Sequence, residues 1–152
     1  MEVKVTWKTP MLMVGVADET TAVLMDTKPE HGGSDVGPSP METTLMALAA
    51  CSGMDVVGIL GKMRAPLDGL TISVAAERAA EPPRVFTAIH LRYAAWGRGL
   101  GRDDVSKAVT LSLDKYCSVS AMLSKTARIT HEIVVSGATG ESAPPQQAVP
   151  RG

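Results

Sequence analysis

Residues 39–63 read SPMETTLMALAACSGMDVVGILGKM, and this one segment constrains the fold more than any other. Ser39 suits an N-cap and Pro40 the first helical position, where its missing N–H costs nothing. Glu42 completes an S-x-x-E capping box, in which the two side chains satisfy each other's backbone donors. Beyond the cap the run is apolar or small around most of the helical circumference. A helix with so little polar surface is expected to be buried within an assembly rather than half-exposed on a domain. Asp55 keeps any uninterrupted apolar stretch below the roughly 18 residues that would read as a membrane span.

Outside this segment the pattern switches to period two. VKVTW (3–7), MLMVGVA (11–17) and TAVLMD (21–26) read as strands, with a turn at Asp18-Glu19. Residues 27–38 are a loop by composition. LTISVAAER (70–78) and VFTAIHLRYAAW (85–96) form a β-hairpin whose bend holds Pro82-Pro83. Residues 101–127 predict a second long helix with Asp103 as its cap, and RITHEIVV (128–135) a last strand. The order βββαββαβ lacks a regular βαβ alternation, so the class is α+β with mainly antiparallel sheets around two long helices. Residues 1–136 make one domain. Residues 137–152, rich in Pro, Gly and small polar residues, predict a disordered tail.

Charge excludes several function classes. Fifteen Lys and Arg against sixteen Asp and Glu give a net charge of −1, so no field favours nucleic acid or an anionic membrane. The scattered Arg92, Arg98 and Arg102 have no interleaved aromatics for base stacking. His31, His90 and His131 lack metal-ligand spacing, and no glycine-rich phosphate loop opens either helix, so no metal or nucleotide cofactor is expected. The first residues lack the layout of a signal peptide, and the expected location is the cytoplasm. There a structural disulfide is disfavoured, which leaves Cys51 and Cys117 with two roles, inert packing or redox chemistry.

At 3.6 residues per turn Thr44, Ala47, Cys51, Asp55, Gly58 and Lys62 fall on one stripe that carries most of the first helix's polar residues. In the second, Thr110, Cys117, Ser120 or Ala121, and Ser124 form a comparable stripe of small and hydroxyl side chains. Helices packed on such faces approach closely, and the thiols come within disulfide reach. The methionines Met41, Met46, Met54, Met63 and Met122 fill core or line an apolar pocket, and Tyr116 is expected to pack.

GPSPMETTLMALAACSGMDVV, followed about 65 residues later by DKYCSVSAML, resembles the OsmC/Ohr family of thiol-dependent peroxidases, and most of all its YhfA-like branch. The resemblance runs from Val3 to Val135. It implies a strand-swapped homodimer with the sites at the interface. It also implies a redox cycle in which Cys51 attacks a hydroperoxide, Cys117 resolves the sulfenate, and an external dithiol reduces the disulfide. The alternative is a non-peroxidase dimer that binds a small apolar ligand between the helices.

Two departures from the family pattern bear on activity. The family's catalytic glutamate follows the proline directly, where this chain has Met41. Glu42 lies one residue later, rotated by about 100°, and is read as a cap. No arginine precedes Arg64, so the family's activating arginine has no counterpart. Lys4, Lys8 and Lys28 lack a guanidinium's fork, and Arg78 and Arg84 in the hairpin are the remaining cations considered. Asp55, one turn from Cys51, would raise a neighbouring thiol's pKa.

Overall fold

The computed structural model describes residues 1–137; the expected tail, apart from Gly137, lies outside the described residues. The elements are β1 (Lys4–Lys8), β2 (Leu12–Val16), β3 (Ala22–Met25), α1 (Pro40–Met63), β4 (Gly69–Arg78), β5 (Phe86–Trp96), α2 (Arg102–Leu111), a π-helical turn (Ser112–Tyr116), α3 (Ser118–Leu123) and β6 (Arg128–Ser136). The class is α+β, with every expected strand present. Two compact units divide at the first turns of α1, Met1–Met46 and from Ala47 onward.

In the first unit β1, β2 and β3 form an antiparallel meander in that order. The register pairs Trp7 with Met13 and Met13 with Met25, and Val5 with Gly15 and Gly15 with Val23. Since side chains alternate between faces, Val5, Trp7, Met13, Val23 and Met25 share one apolar face. Trp7 on it is 58% exposed. The turn after β2 is set by Asp18, whose carboxylate accepts the N–H groups of Thr20 and Thr21 at 2.8 and 2.9 Å.

The loop of residues 27–38 is more ordered than its composition suggests. Buried Asp26 accepts N–H groups from Thr27 at 2.8 Å, Ser34 at 3.0 Å and Val36 at 3.3 Å. These bonds, Thr27's foremost, hold the carboxyl below its usual range. The loop delivers the chain to the expected capping box. Ser39 N donates to Glu42 Oε2 at 2.8 Å, and Glu42 N donates to Ser39 Oγ at 3.3 Å.

In the second unit the sheet order is β4-β5-β6. β4 and β5 pair antiparallel, whereas β5 and β6 pair parallel. Parallel neighbours need a crossover connection, and α2, the π-helical turn and α3 supply it. The central β5 buries Leu91, Tyr93 and Ala95. From α1 the stripe Leu48, Ser52, Val56 and Leu60 is buried, at spacings of four. Gly53 lets the sheet approach, since a Cβ there would stand only 3.0 Å from Ile72 Cδ1. On other sides of α1, Met54 and Val57 are 76% and 49% exposed.

The structure corrects the reading of residues 101–127 as one helix. α2 ends at Leu111, the next five residues form a π-helical turn, and Cys117 is extended at φ −70° and ψ 101° before α3 restarts. The physical cause is local. Cys117 N donates across the turn to Ser112 O at 2.8 Å, and its own sulfur accepts the Ser120 N–H at 3.4 Å. The thiol thereby acts as the N-cap of α3, so Cys117 is at a helix break and the stripe projected through it does not form. Nor is Asp103 the cap of α2. Gly101 holds that position, and Asp103 lies in the first turn, where its charge faces the helix dipole favourably.

Candidate functional site

The two cysteines reach each other from different kinds of backbone. Cys51 rides in the middle of α1 and is half-buried, whereas Cys117, at the break between the π-helical turn and α3, is only 2% exposed. Both thiols are free, and Cys51 is near enough to Cys117 to shift its pKa. Burial, chiefly, together with the neighbouring Cys51 thiol, pushes the Cys117 thiol from its ordinary 9.0 up to about 11, against the opposing N–H of Ser120. Cys117 is therefore protonated at neutral pH.

Behind the thiols runs a line of buried hydroxyls. Tyr93 Oη and Ser52 Oγ are 2.6 Å apart. Ser112 Oγ stands 3.0 Å from Ser52 Oγ, 3.4 Å from the Ser52 carbonyl and 3.0 Å from Asp55 Oδ2. Ser52, Tyr93 and Ser112 are fully buried. An unpaired hydroxyl there would cost about 1–3 kcal/mol, and among the described residues no buried side-chain polar atom lacks a partner. Burial, above all, pushes the Tyr93 phenol up to about 12, with the charges of Cys117 and Asp55 adding to it. Tyr93 is thus a neutral hydroxyl beside the thiols, its ring meeting His131 edge-on at 6.3 Å.

Of this line only Asp55 had been singled out in the sequence. Its carboxylate is engaged by the Ser112 hydroxyl. Ser52, Ser112 and Tyr93 were missed. Ser52 carried a signal, as a hydroxyl in the apolar series Leu48, Val56 and Leu60, a place where a polar group must find a buried partner. Ser112 carried none, because the turn that makes it buried is absent from an uninterrupted helix.

The hairpin arginines fall elsewhere. Arg78 Nε donates to the Arg84 carbonyl at 2.8 Å, at the bend of the β4–β5 hairpin. Arg78 pairs with Phe86, seven residues along β5 from Tyr93, a strand distance of roughly 20 Å. Arg92 pairs with Glu132 at 2.8 Å, and Arg102 Nη1 donates to the Ile133 carbonyl at 2.6 Å. His90 Nδ1 lies 2.8 Å from Thr130 Oγ1. Tyr116, expected to pack, is exposed beneath Lys115 Nζ, which lies 5.5 Å from its ring centroid. Met46, Met54 and Met122, expected in a core or pocket, are exposed as well. A cavity of about 530 Å³ opens beside α3, lined by Asp114, Ser120, Arg128 and His131 among others, so its wall is mixed in polarity rather than apolar.

Comparison with known proteins gives a consistent picture. The family model described as OsmC-like protein matches residues 31–132. The protein YhfA of Escherichia coli strain K12 is 40% identical over 138 residues, covering 91% of this chain and all of its own. Among solved structures, a hypothetical protein from Aquifex aeolicus VF5 is 26% identical, with a TM-score of 0.74 over 89% of this chain and 96% of that one. An organic hydroperoxide resistance protein OsmC from Legionella pneumophila shares the fold at 15% identity, with a TM-score of 0.65 over 88% and 96% of the two chains.

The raised Cys117 pKa makes a signed prediction. Where the native thiol holds its proton more tightly than the unfolded one, the resulting stability is complete below the ordinary value and is lost as pH rises through the native value. The window is therefore pH 9.0 to about 11. Chemical denaturation across it is expected to show the stability difference between wild type and Cys117→Ala shrinking as pH rises. A difference that stays constant or grows would contradict the assignment.

Proposed function

The chain belongs to the OsmC-like family, and from that premise we propose that it is a thiol-dependent peroxidase that reduces hydroperoxides in oxidative-stress defence. The observation that carries this reading is that the two free thiols are neighbours, the half-buried Cys51 close enough to the enclosed Cys117 to raise its pKa. In the first step the Cys51 thiolate attacks the distal oxygen of the hydroperoxide. A sulfur–oxygen bond forms, the oxygen–oxygen bond breaks, and the alkoxide leaves and takes a proton to become the alcohol. Cys117 then gives up its proton and attacks the Cys51 sulfur, expelling the hydroxyl as water and closing the disulfide. An external dithiol reduces the pair, so each turnover converts one hydroperoxide and one dithiol into alcohol, water and a disulfide. The asymmetry in burial supports the roles, because the attacking sulfur must meet substrate and the resolving one need only meet its neighbour. A reducing compartment such as the cytoplasm fits both thiols being free.

A second copy of the chain completes this reading. α1 is long and apolar enough to cross a bilayer by length and composition when Asp55 is tolerated in the window, yet only 28% of that window is buried. Exposed Met54 and Val57 on α1, and separately the apolar sheet face bearing Trp7, are surfaces that water disfavours. A homodimer covers both without external partners, and no nucleic acid or membrane enters the proposal. Light scattering is expected to give the mass of two chains, reduced to one by Val57→Asp. A wild-type monomer, or a chain that requires detergent to stay in solution, would contradict it.

The second reading, a dimer that binds a small apolar ligand without catalysis, is favoured by one observation. Glu42, the carboxylate nearest the family's catalytic position in sequence, caps Ser39. Turnover of cumene hydroperoxide with a dithiol separates the two readings. Wild type is expected to consume peroxide, and Cys51→Ser to lose the rate by at least about a hundredfold, as removal of a nucleophile does. Equal rates in the two proteins would overturn the peroxidase reading in favour of the binding one.

A further inference from the structure

Ser112 holds Cys117 and the backbone beside Cys51 at the same time. Its carbonyl accepts the Cys117 N–H at 2.8 Å, closing the π-helical turn. Its hydroxyl lies against α1 at the residue that follows Cys51, 3.0 Å from Ser52 Oγ and 3.4 Å from the Ser52 carbonyl, and also 3.0 Å from Asp55 Oδ2. A hydroxyl has one proton and two lone pairs. When Ser112 donates to the Asp55 carboxylate, its lone pairs face the Ser52 hydroxyl, which Tyr93 Oη holds from the other side at 2.6 Å. The route from one cysteine to the other is then a peptide bond, a side-chain hydrogen bond and a backbone hydrogen bond. Ser112 and Ser52 are both fully buried, so water does not compete for these bonds.

We propose that Ser112 is a positioning residue that clamps the π-helical turn to α1 and so keeps the Cys117 sulfur in bonding range of the Cys51 sulfur. This rests on the reading that the two thiols pair during turnover, but it needs no peroxide to be tested. Disulfide closure demands Cβ atoms about 3.5–4.5 Å apart, and a displacement of about 1 Å can cost up to a hundredfold in rate. Ser112 is connected to the sulfurs through the backbone and touches no substrate. Its effect is therefore confined to the closing of the disulfide and absent from the reactivity of Cys51 alone.

One equivalent of the aromatic disulfide dithionitrobenzoate separates the two steps. The Cys51 thiolate attacks the reagent's disulfide, and the first thionitrobenzoate leaves. Cys117 then loses its proton to solvent and attacks the Cys51 sulfur of the mixed disulfide, and the second thionitrobenzoate leaves. The reagent gains the two electrons that the protein thiols lose. In the full-length chain, Ser112→Ala is expected to leave the first phase within about twofold and slow the second by about tenfold or more. Ser112→Thr, which keeps the hydroxyl, is expected to restore it. Ser52→Ala removes the same bond from the other side and is expected to give the same split, which covers a Ser112→Ala protein that does not fold.

A second phase unchanged in a folded variant, both phases slowed alike, or no second phase in wild type would each overturn the clamp. Parallel cumene hydroperoxide assays of wild type keep the two claims apart. A Ser112-dependent second phase without peroxide turnover retains the clamp and removes the peroxidase. Turnover with a Ser112-independent second phase does the reverse.

Discussion

A hydroxyl enclosed in an apolar core has to be paired, and the pairing of Ser52 with Ser112 is the constraint around which the second unit is arranged. It fixes the rotation of α1, because Ser52 lies on the buried stripe with Leu48, Val56 and Leu60. It fixes the π-helical turn, because the same serine whose hydroxyl meets α1 presents its carbonyl to Cys117. Tyr93 and Asp55 close the two ends of the line. With both elements fixed, neither cysteine can drift from the other without breaking a buried hydrogen bond, at about 1–3 kcal/mol for each polar group left unsatisfied.

The two sulfurs differ for reasons of environment. Cys117 caps α3 through its sulfur and is enclosed, which keeps it protonated and disfavours direct attack on a substrate. Cys51, half-buried on a helix whose neighbouring residues are small, is the more accessible partner. The activating cation of the family pattern has no sequence counterpart here. The arginines of the second unit whose contacts are described bind their own hairpin, Glu132 or a strand carbonyl. In the proposed cycle, the nearness of Cys117 favours the resolving step whatever the rate of the first attack.

Much of this was legible in the chain because local physics and global fold agree. The capping box of Ser39 and Glu42 forms as its spacing dictates, and every strand lies where period-two alternation places it, to within a residue or two. The break at 112–117 was not legible. Small and apolar residues carry a helical reading through the segment, and the local bonds that break it, Cys117 N–H to Ser112 O and Ser120 N–H to the Cys117 sulfur, leave no mark on that pattern. Tyr93 was hidden for a related reason, since an alternating strand shows which residues face inward but not which of them meets a serine. The parallel pairing of β6 likewise depends on the path of the crossover, to which strand periodicity is blind.

The central claim is that Cys51 and Cys117 of one chain are partners in oxidation. Peptide mapping after one equivalent of cumene hydroperoxide, in a mixture of light and isotopically heavy protein, tests it most directly. The account predicts a peptide joining Cys51 to Cys117, lighter by two hydrogens than the two thiol peptides together and pairing light only with light and heavy only with heavy. Cys51 carrying added oxygen while Cys117 can still be alkylated, or light peptides joined to heavy ones, would contradict it.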